Sequence, residues 1–168
     1  MADLGSAARG SAAEPGRSRL FAVAVLIIVL SVIGFVLAFL FQWPSDFVLG
    51  DEPDARVTLG DLVQGTVTSI PLAPFVVLVV ATLLVRSRRW WGTLAAVLLA
   101  LLGGVFTVGG LGEIASDNAN VPKAVLVVAG ATYVFLGLTL FVCGIVDLVG
   151  RWRSRRVRTA SSTGGTVV

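Results

Sequence analysis

Four long apolar runs constrain this chain more than any other feature, because each is long enough, or nearly so, to require lipid around it. They are Leu20 to Phe41, Ile70 to Val85, Trp90 to Leu111 and Ala124 to Val149. An α-helix rises about 1.5 Å per residue and a bilayer's hydrocarbon core is roughly 30 Å thick, so three of the runs can cross it unaided. The second reaches across only by recruiting Val67 and its neighbours. The predicted fold is therefore all-α: a polytopic membrane protein with a four-transmembrane-helix bundle over residues 19–152 and spans at about 20–41, 67–85, 90–111 and 123–149.

Only 14% of the 168 residues are charged, against roughly 25% in an average soluble domain. Subtracting the spans leaves no separate soluble domain. The two tails, 1–18 and 153–168, are rich in Ser, Ala, Gly, Thr and Arg. They cannot bury enough apolar surface to order themselves and are predicted to be disordered. Heavy use of Arg, Ala, Val and Gly points to a high-GC, actinobacterium-like bacterial source.

Charge sorts the connections by side. Eleven of the thirteen Lys and Arg residues fall in the N-tail (Arg9, Arg17, Arg19), the second connection (Arg86, Arg88, Arg89) and the C-tail (Arg151, Arg153, Arg155, Arg156, Arg158). Basic loops stay in the cytoplasm, so both termini are predicted inside a cell membrane that the chain crosses several times. The first outer loop, 42–66, carries Asp46, Asp51, Glu52, Asp54 and Asp61 against Arg56 alone. All four tryptophans, Trp43, Trp90, Trp91 and Trp152, sit at predicted boundaries, where amphipathic rings prefer the headgroup level. The first run is longer than a signal-peptide core and lacks a small-residue cleavage site, so it reads as an uncleaved anchor.

Arg86-Ser87-Arg88-Arg89 is short enough to make the second and third helices an antiparallel hairpin. In the first outer loop, Thr58 can cap a short amphipathic helix whose apolar stripe is Leu59, Leu62, Val63 and Val67. Pro71 and Pro74 then call for a break or kink before the second span.

Lipid tails are as apolar as Leu, so membrane helices associate through close fit and polar contacts, which favours small residues in the seams. The third run offers Ala96, Ala100, Gly103, Thr107 and Gly110, the fourth Gly130, Gly137 and Gly144 every seven residues, and the first Ala24, Ser31, Gly34 and Ala38. Three positions after each glycine of the fourth run come Tyr133, Leu140 and Asp147, so the polar groups share the groove face. A phenol deep in a span is costly without a partner. Tyr133 is expected to point inward, toward Ser31 or Thr107. Asp147 is the sole acidic residue within a span, which makes it a functional candidate. Arg151, one turn later, makes a structural salt bridge the expected outcome.

Signatures of chemistry are missing. The sequence has no histidine and a single cysteine, Cys143, which reads as a small buried hydrophobe. None of the common nucleophile, phosphate-loop or zinc patterns occurs. No catalytic residue, cofactor or metal site is assigned, and the acidic residues of the first loop fit no calcium-loop spacing. Arginines beside membrane helices read as topology signals and contacts to anionic lipid headgroups, here Arg86, Arg88, Arg89, Arg151 and Arg153, and not as a nucleic-acid site. The layout is similar to that of claudin-like tetraspan proteins, but their paired first-loop cysteines are absent beside Trp43.

The expectation from sequence is a non-enzymatic accessory or assembly subunit that binds a membrane-protein partner. The alternative is a small transporter or channel subunit acting as a homo-oligomer through Tyr133 and Asp147. A lipid-modifying enzyme using Asp46, Asp51 or Asp54 ranks third.

Overall fold

The computed structural model describes residues 15–43, 63, 65–66, 68–87, 90–116 and 121–163, with the backbone alone at 15–17 and 155–163. Among the described residues the chain is helical and contains no strand: α1 spans Pro15–Phe41, α2 Leu72–Leu84, α3 Trp90–Ala115 and α4 Lys123–Thr163. Three of these are long and apolar enough to cross a membrane, α1 over Ser18–Phe41, α3 over its whole length and α4 over Lys123–Ser154. Their outward faces carry large apolar side chains, Val108 71% exposed, Phe135 70% and Leu40 67%. Such a surface would aggregate in water and is ordinary in lipid.

The second helix departs from its expected start near residue 67. Its 13 residues extend roughly 20 Å, short of a hydrocarbon core of roughly 30 Å. Gly65 has a left-handed φ of 88°, and Thr66 and Ser69 pair across a tight turn, their hydroxyls 2.8 Å apart and the Ser69 N–H donating to the Thr66 carbonyl at 3.1 Å. Pro71 then immediately precedes the helix, and Pro74 falls in its first turn, where a missing N–H has no intrahelical partner to lose. Except for Val63, which is helical, the loop helix expected from Thr58 to Val67 falls outside the described part up to Gly65.

The other end of the chain also differs from expectation. Residues 153–163, expected to be disordered, continue α4 without a break. Arg and Ala are good helix formers, and extending an existing helix avoids the cost of nucleating one.

The helices are arranged so that α1 touches α2 and α4, α2 touches α3, and α3 pairs most closely with α4. That last pairing is made of glycine. A Cβ on Gly130 would lie 2.5 Å from the Gly110 carbonyl, one on Gly137 2.7 Å from the Gly103 carbonyl, and one on Gly144 2.8 Å from the Ala100 Cβ. The seven-residue repeat thus lets two antiparallel backbones touch at successive levels, gaining dispersion contacts that longer side chains would prevent. Around this seam Leu20, Ile27, Leu78, Leu99 and Leu140 form a fully buried core, and half-buried Cys143 packs against it.

Candidate functional site

Polar groups inside the protein gather at two levels, and a side chain of α4 organises each. The first lies about midway along the helices. Ser31 is ten residues in from Phe41 and Tyr133 ten in from Lys123, about 15 Å along each axis. Between them pass the non-helical residues 65–66 and 68–71. Irregular backbone at such depth needs partners within the protein. Here the Ile70 N–H donates to the Ser31 hydroxyl at 3.0 Å, the Thr68 hydroxyl donates to the Gly34 carbonyl at 2.6 Å, and the Tyr133 hydroxyl donates to the Thr68 carbonyl at 2.8 Å. Gly34 is required for this approach, because a Cβ there would collide with the Thr68 carbonyl.

Of the two partners expected for Tyr133, Ser31 lies beside its hydroxyl, whereas Thr107 donates back to the Gly103 carbonyl of its own helix at 2.8 Å. Ser31 is thus hydrogen-bonded to the phenol as expected, and the Thr68 carbonyl, a main-chain group, accepts from the phenol as a second partner. Thr66, Thr68 and Ser69 were not singled out from sequence; the available signal was a run of small polar residues directly ahead of two prolines in an otherwise apolar stretch.

The second level is at the basic end. Arg151 donates through Nε to Asp147 Oδ2 at 2.6 Å, through Nη2 to the Val85 carbonyl at 2.8 Å and through Nη1 to the Ser87 carbonyl at 3.4 Å. Helices end with carbonyls that lack intrahelical donors. A charged group on α4 supplies donors to this end of α2. Gly92 on α3 leaves space for this end of α2, since a Cβ there would collide with the Ser87 carbonyl and lie 2.7 Å from Arg151 Nη1.

Arg151 is thereby removed from the lipid-contact set. It is 9% exposed and its guanidinium is committed to Asp147 and two carbonyls, a consequence of α4 turning it toward the α2–α3 connection. Arg86 and Arg153 remain exposed, Arg86 stacked over the Phe21 ring with 3.7 Å to its centroid. Trp90 and Trp91 stack on each other nearby, and Trp152 is 57% exposed. Arg88 and Arg89 lie outside the described residues, as do Asp46, Asp51 and Asp54.

Among the described residues no group of His, Cys, Asp and Glu could hold a metal ion. The hydroxyls at mid-depth engage one another and main-chain carbonyls, an arrangement that fixes backbone. The chain matches no known protein family, no curated protein and no solved structure.

Proposed function

We propose that this is a multi-pass protein of the cell membrane with both termini in the cytoplasm, acting without catalysis as an accessory or assembly subunit for a membrane partner. In this reading the chain crosses four times, and the second crossing is completed by segment 65–71 together with α2. The observation that carries it is the use made of buried polarity. Tyr133, Ser31, Thr68, Asp147 and Arg151 are spent on holding a short helix in place, which suits a scaffold whose outer faces meet lipid and other proteins. Exposed Arg86 and Arg153, beside Trp90, Trp91 and Trp152, suit anionic headgroups, each worth about 1 kcal/mol near the surface.

The test is native mass spectrometry after gentle detergent extraction from the source membrane. A different polypeptide retained in fixed ratio supports the accessory reading. A homo-oligomer instead favours a small transporter or channel subunit, the reading suggested by polar groups at mid-depth. In that case Tyr133→Phe should alter flux, because the phenol would line the path.

A further inference from the structure

We infer that the Arg86 end of α2, where it meets α1, is a site for one anionic phospholipid, with the phosphate on the Arg86 guanidinium and an acyl chain along α2. The inference deepens the headgroup part of the reading above and does not depend on which protein partner the chain has.

Fixation of an exposed charge is the first observation. Arg86 directly follows Val85, the C-cap residue of α2, and the carbonyls of the residues before and after it, Val85 and Ser87, both accept from Arg151. Its backbone is thereby tied to α4. Its side chain runs to the other neighbour, α1, where Cζ lies 3.7 Å from the centroid of the Phe21 ring. That ring packs against the buried core, next to fully buried Leu20, so the platform is set by packing. A guanidinium carries its N–H donors in its own plane, and at this distance they point past the ring. Among the described residues none takes a hydrogen bond or ion pair from them. The carboxylate described at this level, Asp147, is held by Arg151. Arg86 thus presents an oriented fork, which matches the paired oxygens of a phosphate. The ring and the tied backbone have already restricted the side chain, so less rotamer entropy is lost on binding than at an unsupported surface arginine.

Position decides which phosphate. Val76, Val80 and Leu83 of α2 are exposed and recur at spacings of four and three, so they share one face. Val85 keeps helical dihedrals, and Arg86, three residues after Leu83, ends the same row. The row is an apolar track about 15 Å long with a guanidinium at its surface end, the arrangement of a phospholipid's tail and head. A soluble phosphate compound would use the fork alone. Arg19, exposed on α1 two residues before Phe21, adds a second positive charge at this level, which favours a lipid of net negative charge over a zwitterionic one.

The full chain, purified in a non-ionic detergent, is titrated with phosphatidylglycerol and, separately, with phosphatidylcholine, and bound lipids are counted by native mass spectrometry. One phosphatidylglycerol is expected to bind ahead of any others and more tightly than phosphatidylcholine. R86Q should weaken that first step roughly tenfold, and R86K, which keeps the charge and loses the fork, and F21L, which removes the ring, should each weaken it as well. A first step that is unchanged in R86Q, or equal for the two lipids, overturns the proposal. So does undiminished binding to R86K and F21L, which would make Arg86 a plain surface charge. Displacement of phosphatidylglycerol by inorganic phosphate at equal concentration assigns the fork to a free anion and overturns the lipid site. A foreign polypeptide retained by both wild-type and R86Q protein, with no lipid step in either, sinks the site and leaves the accessory reading standing. An R86Q-sensitive lipid step in protein that retains no foreign polypeptide supports the site while the accessory reading fails.

Discussion

Tyr133 and Arg151 stand on one face of α4, about five helical turns apart, and hold opposite ends of the same short helix. The phenol donates to the Thr68 carbonyl ahead of α2 and the guanidinium to the Val85 carbonyl behind it, each at 2.8 Å. Both belong to the interior stripe that the glycines open: Tyr133 leads Leu140 and Asp147 at seven-residue spacing, and Arg151 continues the series Gly130, Gly137, Gly144. Where a fourth glycine would keep the helices touching, the chain places an arginine, beside Gly92 on α3, where a Cβ would meet the Ser87 carbonyl and Arg151 Nη1. A helix too short to cross lipid alone is thus fixed by polar contacts at its ends.

Removing one half of the inner ion pair should be far worse than removing both. Asp147 and Arg151 are 5% and 9% exposed, so Arg151→Met leaves a carboxylate among apolar groups and α2 without its donor. The expected loss is about 3–5 kcal/mol, with much of it recovered in Asp147→Leu/Arg151→Met. Thermal unfolding of the single and double variants in one detergent measures the cycle. A double variant as unstable as the sum of its parts would show that Asp147 and Arg151 do not act as a pair.

The glycines separate into two kinds that denaturation can distinguish. Gly137→Ala places a methyl 2.7 Å from the Gly103 carbonyl and 2.8 Å from the Thr107 N–H, forcing apart backbones that cannot yield, at about 1–3 kcal/mol. Gly104 has nothing within 4 Å of its missing Cβ, so Gly104→Ala should be neutral or gain up to about 1 kcal/mol from helix propensity. Equal effects would mean that the α3–α4 seam is looser than its geometry.

At mid-depth the expected readout is local. Tyr133→Phe removes the donor to the Thr68 carbonyl, and intramembrane hydrogen bonds of this kind are worth about 0.6–2 kcal/mol. Gly34→Ala acts on the same carbonyl by collision and should displace segment 65–71 more severely. Hydrogen exchange at the amides of Ser69 and Ile70, which donate to the Thr66 carbonyl and the Ser31 hydroxyl, should quicken in both variants while α3 stays protected. Unchanged exchange in Gly34→Ala would contradict the placement of the segment against α1.

Much of this was legible from residues alone because the relevant physics is local. Apolar run length located the three long helices, and Arg151 one turn after Asp147 announced their pairing. The heptad of Gly130, Gly137 and Gly144 announced a seam but not its counterpart on α3, since register between helices depends on packing that spacing does not encode. The start of α2 was misplaced by five residues because Val67, Ile70 and the valines beyond read as one apolar stretch. Hydropathy is blind to the left-handed Gly65 and to hydroxyls that satisfy backbone from α1 and α4. Arg151 was expected to pair with Asp147 and also to meet lipid headgroups; the second expectation failed because its guanidinium reaches the Val85 and Ser87 carbonyls, residues distant in sequence.

The shortness of α2 makes the second crossing the most informative to test. With the sole native cysteine removed by Cys143→Ala, single cysteines at Val63, Val77 and Ser87 sample the two ends and the middle of this part of the chain. Val63 is 61% exposed and Val77 39% exposed on a lipid-facing side. If segment 65–71 and α2 together cross, a membrane-impermeant maleimide should label Val63→Cys on intact cells. Ser87→Cys should react only after permeabilisation, and Val77→Cys should stay unreactive because thiolate formation is suppressed in lipid. Labelling of Val63→Cys and Ser87→Cys from the same side would mean that the chain enters and returns. Three crossings would then put the N-terminus and the basic end of α4 in opposite compartments, against the charge asymmetry that set the orientation.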